Sequence, residues 1–245
     1  MRIAAISDIH GNLWALEAVL ADIARRGVDM TVNLGDILSG PLLPRETADR
    51  LIALNLPTVA GNHERQLLEH EPAQMGPSDL YACKQITSEQ RDWLSRLPKS
   101  LRVADDVLLV HGTPDSDLVY FMETLAEQGL RPATHDEVLE RAGATQASLI
   151  LCGHTHQPRT MRLDDGRLIV NPGSVGLQAF EGDYPVPHKA EICTPHARYC
   201  VAERSNAGWS VVHYAVAYDC SAAADLAASN QRPEWAFALR TGRLA

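Results

Sequence analysis

Short apolar runs alternate with longer segments of helical period through the first part of the chain. Residues 3–7 form one such run, and Leu13, Leu16, Val19, Leu20 and Ile23 recur at the spacing of a single helix face. The pattern predicts a strand over 3–7 and a helix over 13–26, with Asn12 as its N-cap and Gly27 as its stop. Strands at 30–34 and 57–60 flank a second helix at 45–54. This βαβαβ order predicts a largely parallel sheet with helices on its faces. The middle turns more helical. Thr87-Ser88-Glu89-Gln90 marks a helix start for 87–97, while 107–110 and 149–152 are apolar runs of the buried-strand kind. The segment 115–143 reads as helices and loops. After His156 the period shifts towards two. Residues 159–163 and 167–170 flank Asp164-Asp165-Gly166 as a hairpin, and 198–203 pairs with 209–216 across a second turn. Residues 181–196, rich in proline, read as a loop, and 219–229 with 233–239 as a helical tail. The fold class is therefore α/β, with residues 1–217 as one domain and 218–245 as its C-terminal helical extension.

Composition narrows the partners. The 245 residues are 45% hydrophobic, enough for a sizeable core. With 22 basic against 31 acidic residues, the formal net charge is -9, which disfavours a nucleic-acid or anionic-membrane partner. A phosphate substrate stays compatible, because bound metals would reverse the local field. No apolar run approaches the roughly 18 residues of a membrane span, and the first run is too short for a signal segment. Cys83, Cys152, Cys193, Cys200 and Cys220 form no Cys-x-x-Cys pair, so no zinc or disulfide framework is expected, and a cytoplasmic location is the simplest.

The chemistry lies in five fragments that each follow an apolar run: Asp8-Ile9-His10, Gly35-Asp36, Gly61-Asn62-His63-Glu64, His111-Gly112 and Gly153-His154-Thr155-His156. In a parallel α/β sheet the C-terminal strand edges share one rim, so fragments distant in sequence are expected to meet there. Their carboxylates, imidazoles and one amide suit manganese, iron, zinc or similar cations and not thiolate-preferring ones. Two such cations about 3.5–4 Å apart can hold both the attacking and the leaving oxygen of a phosphoryl transfer.

The ordered set D-x-H, G-D, G-N-H, H and G-H-x-H resembles the calcineurin-like metallophosphoesterases. Asp8-Ile9-His10-Gly11-Asn12 and Asn171-Pro172-Gly173-Ser174 look like the small bacterial phosphodiesterase branch, and the resemblance covers roughly residues 1–217. It implies a four-layer αββα sandwich of two mixed β-sheets flanked by helices, with a dimetal site at strand C-terminal ends. It also implies that Asp8, His10 and His156 bind the first metal, that Asn62, His111 and His154 bind the second, and that Asp36 bridges both. The two divalent ions would be manganese or iron, with zinc, nickel and cobalt also compatible. His63 would face the scissile phosphate as general acid or phosphate stabiliser. The implied activity is hydrolysis of a small phosphodiester or nucleotide phosphoanhydride by a metal-bridging hydroxide. Alternatives are a phosphomonoesterase, a dinucleoside polyphosphate hydrolase and a non-catalytic scaffold of the same fold, as in the retromer coat. A homodimer is compatible with the chain.

Departures sharpen this. Protein Ser/Thr phosphatases of the superfamily carry Asp-Arg-Gly soon after the bridging aspartate; Gly35-Asp36-Ile37-Leu38-Ser39-Gly40-Pro41 has no such element, which argues against a protein substrate. Glu64 stands where Asp is more frequent and, not being a ligand, is expected to have little effect. Arg65 is a candidate phosphate contact, and Tyr184 a candidate for stacking on a nucleobase. His70, His135, His188, His196 and His213 lack motif context and read as surface or satisfied core residues. Cys152 reads as packing, and Trp14, Trp93, Trp209 and Trp235 as core anchors. Gly35, Gly61 and Gly153 precede ligand residues, where a missing Cβ lets the backbone turn sharply.

Overall fold

The computed structural model of the chain describes residues 1–183 and 185–245, so Tyr184 lies outside the described residues. β1 (Arg2–Ile6), α1 (Leu13–Ala24), β2 (Met30–Asn33) and α2 (Pro44–Leu54) open the chain as the periodicity predicts. α3 (Asn62–Glu69), α4 (Pro77–Gln85) and α5 (Ser88–Ser95) follow, then β3 (Ser100–Ala104) and β4 (Val107–Val110). Next come β5 (Glu123–Ala126), β6 (Gly129–Pro132), α6 (His135–Ala142) and β7 (Leu149–Leu151). The chain continues through β8 (Arg159–Arg162), β9 (Leu168–Asn171), β10 (Ala179–Gly182), β11 (His188–Glu191), β12 (Ala197–Ser205) and β13 (Gly208–Val216). It closes with α7 (Cys220–Ser229) and α8 (Pro233–Thr241).

Two mixed sheets form, ordered β13-β12-β1-β2 and β3-β4-β7-β9-β8. The site-bearing strands are parallel (β1 with β2, β4 with β7), and antiparallel strands complete the edges. Alternation along β1 explains the layering, since successive side chains point to opposite faces. Ile3 and Ala5 pack with Val107, Leu109, Leu149 and Leu151 between the sheets. Ala4 and Ile6 pack outward against Leu16, Val19 and Ile23 of α1. On the far side, Leu108, Val110 and Ile150 meet Val138 and Ala142 of α6. Helix, sheet, sheet, helix is thus the expected sandwich. The C-terminal pair α7 and α8 packs Ala223, Ala227, Trp235 and Leu239 against Leu42, Leu177 and Ala179. No helix among the described residues is long and apolar enough to cross a membrane.

Three expectations are corrected. The strand at 57–60 shrinks to one bridge between Thr58 and Asn33, because the chain enters α3 only a few residues later. The segment 115–143 contains the β5–β6 hairpin ahead of its single helix. The loop at 181–196 contains a four-residue strand, His188–Glu191, that returns along β10, Phe180 pairing with Ala190 and Gly182 with His188. Its half-exposed face carries Lys189 and Glu191, which masks the strand signal.

Candidate metal centre and active site

The five fragments meet at one rim. Asp8 and His10 follow β1, Asp36 follows β2, Asn62 opens α3, His111 follows β4, and His154 with His156 follow β7. Two groups result: Asp8, His10 and His156, and Asp36, His111 and His154, with the potential ligand atoms of each within 4.8 Å of one another. Asn62 joins the second group, its Oδ1 3.1 Å from His111 Nε2.

Backbone geometry at these positions is unusual. Asp8, His10, Asp36, His154 and His156 all have φ between 52° and 71°. This left-handed region costs an L-residue roughly 1–2 kcal/mol, less for Asp and His, whose short polar side chains bond locally. Five such residues converging on one rim is the signature of a backbone held for a purpose. The glycines act mainly through space. A Cβ on Gly61 would lie 2.2 Å from Asp36 Oδ1, and one on Gly153 2.0 Å from Ser7 Oγ; of these three glycines, Gly35 combines close approach with positive φ.

Each histidine is fixed by a carbonyl behind it. Nδ1–H of His10 donates to Ser39 O (2.7 Å), that of His111 to Leu34 O (2.7 Å), and that of His156 to Leu177 O (2.8 Å). His154 uses Nε2–H, donating to Leu118 O at 3.2 Å. The remaining ring nitrogen of each faces the centre, the arrangement that orients imidazole ligands. Consequently His10 Nε2 and His156 Nε2, both acceptors, face each other at 3.1 Å, with Asp8 Oδ1 3.5 Å from the latter. Two lone pairs and a carboxylate in contact call for a cation among them.

Charge supports the same reading. Asp8 and Asp36 are buried. Burial opposes their ionisation, yet neighbouring histidines, His156 for Asp8 and His111 for Asp36, hold both below the usual carboxylate range. Burial, then repulsion from His156, pushes His10 down to about 4. Burial, then His111, pushes His154 down to about 3, so both rings stay neutral as ligands must. For His111 burial works the other way from Asp36, which prevails and draws it up to about 10. The donor set fits two divalent cations.

His63 stands at the mouth, 28% exposed, its ring 5.5 Å from that of His10. Its Nδ1–H donates to Asp79 Oδ1 at 2.8 Å, which turns Nε2 towards the cleft. Burial disfavours its charge, but Asp36 and the Asp79 bond outweigh this and raise it to about 9. Asp79, on α4, has no motif signature; Pro77 at the start of that helix is the local signal that could have placed it.

Glu64 is not among the candidate ligands but braces two of the segments that carry them. Fully buried, its carboxylate accepts from the amides of Asp36, Ile37 and Gly61, each at 2.8 Å. It ties the Asp36 loop to the start of α3. The guanidinium of Arg65 is bidentate to Asp117 (2.7 and 3.0 Å) and is not among the cleft's lining residues. That pair braces the 113–119 loop, which carries the Leu118 carbonyl. Asn171 Nδ2 donates to Gly153 O (2.6 Å) and Ser174 Oγ to Asp8 O (2.8 Å), so the Asn-Pro-Gly-Ser segment supports two ligand loops. His188 is buried, donating from Nδ1 to Val186 O (2.9 Å) and accepting from Tyr120 Oη at 2.7 Å. Tyr120 packs edge-on to His154, with centroids 4.7 Å apart. Cys152 is buried, and burial drives its thiol pKa far up, as a packing role requires.

Residues 1–186 match the calcineurin-like phosphoesterase superfamily domain, and the chain belongs to that superfamily: it is a phosphoester hydrolase by class. It is 29% identical over 95% of its length to uncharacterized protein MJ0912 of Methanocaldococcus jannaschii, covering 94% of that protein. A solved metallophosphoesterase from Sphaerobacter thermophilus is 27% identical, with TM-score 0.78 over 99% of this chain and 100% of that one. A protein provisionally named a diadenosine tetraphosphatase shares the fold at 20% identity and TM-score 0.54, over 88% of this chain and 94% of that one.

Proposed function

We propose that the chain is a dinuclear phosphoesterase acting on a small phosphodiester or nucleotide phosphoanhydride. The observation that carries it is the lone-pair contact of His10 and His156 beside Asp8, matched across Asp36 by His111, His154 and Asn62. Asp8, His10 and His156 would hold one ion, Asn62, His111 and His154 the other, with Asp36 between them. Manganese or iron suits the oxygen and imidazole donors best. When bound, the pair supplies a nucleophile at neutral pH and neutralises phosphoryl charge.

The chain's own groups do the rest. Asp79 holds His63 Nδ1, so the proton at Nε2 is directed into the cleft, where it can pass to the leaving oxygen. Cations at Asp36 would cancel part of the pull on His63, leaving the Asp79 bond as the persistent one. Residues 1–217 would form the catalytic domain, with 218–245 as an extension walling its cleft, in a cytoplasmic protein. The scaffold alternative loses weight because every ligand position and His63 are in place.

The test is hydrolysis of bis-p-nitrophenyl phosphate and p-nitrophenyl phosphate with manganese, for wild type and His63→Ala. Diester turnover should fall about a hundredfold in the variant with bound metal unchanged. Preference for the monoester would shift the assignment to a phosphatase. A protein that binds no metal would end the catalytic reading.

A further inference from the structure

We propose that the cleft beside the metal centre is a slot for one neutral aromatic ester group of a phosphodiester, walled by Trp235 and Phe180, and that it disfavours polyphosphate chains. This rests on the phosphoesterase reading and narrows its substrate.

The cavity is about 500 Å³, large enough for a nucleoside-sized group. Its floor is the metal centre with His63. The Trp235 ring stands edge-on to His10 at 6.0 Å, and Phe180 edge-on to His156 at 4.6 Å. The two histidine rings are themselves 5.0 Å apart, so both aromatic walls border the same cluster. A phosphoryl group seated over the ligands must send an ester group past them. Leu177, Ala179 and Ala238 make the lining between apolar. Trp235 owes its place to Gly40, where a Cβ would lie 2.9 Å from the indole and 2.5 Å from His10 O. The bare backbone lets α8 settle onto the His10 loop.

Charge excludes the longer anions. Among the described lining residues Arg232 is the one Lys or Arg, and it is engaged by Glu234 and by Ser78 Oγ at 3.1 Å. Glu181, Asp183 and Glu234 also line the cleft, with Lys189 offsetting only Glu181 at 3.0 Å. The metal pair can neutralise one phosphodiester. Further phosphates of a dinucleoside polyphosphate would face carboxylates instead. A neutral aromatic ring loses nothing to these charges and gains edge or stacking contact with two aromatic walls.

Calorimetric titration of the manganese-loaded full chain separates this from the parent reading, because it needs no turnover. Methyl phenylphosphonate should bind about tenfold tighter than methyl methylphosphonate, both monoanions, and Trp235→Ala should erase most of that ratio. Phe180→Leu, at the other, half-buried aromatic wall, should narrow the same ratio if Trp235→Ala does not fold. In parallel, kcat/KM for the p-nitrophenyl ester of thymidine 5′-monophosphate should exceed that for diadenosine tetraphosphate about tenfold or more. Equal affinities for the two phosphonates, or preference for the tetraphosphate, would overturn the slot while leaving the metal centre intact. Loss of metal binding itself would instead strike the parent reading.

Discussion

At the scale of single residues, the candidate ligands were legible and their supports were not. Asp8, His10, Asp36, His111, His154 and His156 lie in short motifs whose residue types name their chemistry. Glu64, Asp79 and Tyr120 act through distance in three dimensions: the motif around Glu64 and the Pro77 helix start ahead of Asp79 mark positions along the chain but not the partners these side chains reach. Glu64 accepts three backbone amides from two segments. Glu64→Ala should strand these buried donors, at about 1–3 kcal/mol each before relaxation. The expected result is a Tm lowered by several degrees together with weakened manganese binding; an unaltered melt with full metal content would refute the bracing role. Asp79→Asn addresses the proton donor alone. It should lower kcat on the diester roughly tenfold or more while bound manganese stays at wild-type level. A variant with full activity would remove Asp79 from the account.

At the scale of elements, periodicity placed β1, α1, β2, α2, β4 and the β12–β13 pair because their apolar positions face a core. It failed where polar residues alternate on small hairpins, as in β11, and where α3 and α4 begin at functional or proline-led turns. α1 offers a test that avoids the active site. Asp22 on its inner face accepts from Tyr199 Oη of β12 at 2.5 Å and from Arg26 at 2.7 Å, while Arg26 lies 3.6 Å over the Tyr214 ring. Burial opposes the carboxylate, but bonds from Tyr199, Arg26 and Arg25 prevail and lower its pKa. A carboxyl more acidic folded than unfolded stabilises above its unfolded pKa, and that contribution is lost as pH falls through the folded value. Asp22→Asn should therefore melt below wild type at neutral pH, and the gap should narrow as pH falls below the ordinary carboxylate range. A gap independent of pH would mean that the Asp22 charge contributes nothing.

At the scale of the whole molecule, each ligand group draws from both sheets. Asp8 and His10 leave β1 of one sheet while His156 leaves β7 of the other; Asp36 follows β2 while His111 follows β4. Bound cations would fasten the sandwich across its seam, since a ligand that binds only the native state adds about 2.7 kcal/mol at a hundred times its Kd. Chelation should lower Tm, and manganese should restore it in proportion to the logarithm of its concentration. Identical melts with and without chelator would show that the sheets hold together without help.

The left-handed backbone at Asp8, His10, Asp36, His154 and His156 has a consequence for how this chain can change over generations. Chemistry and conformation select residue types through separate filters at the same five positions. A library at position 36 screened for folding alone should return glycine, asparagine and aspartate, because these tolerate positive φ. Screened for turnover, it should return aspartate only. A descendant released from catalysis would therefore drift first to glycine or asparagine at these sites, leaving a readable trace of the lost reaction in an otherwise intact fold.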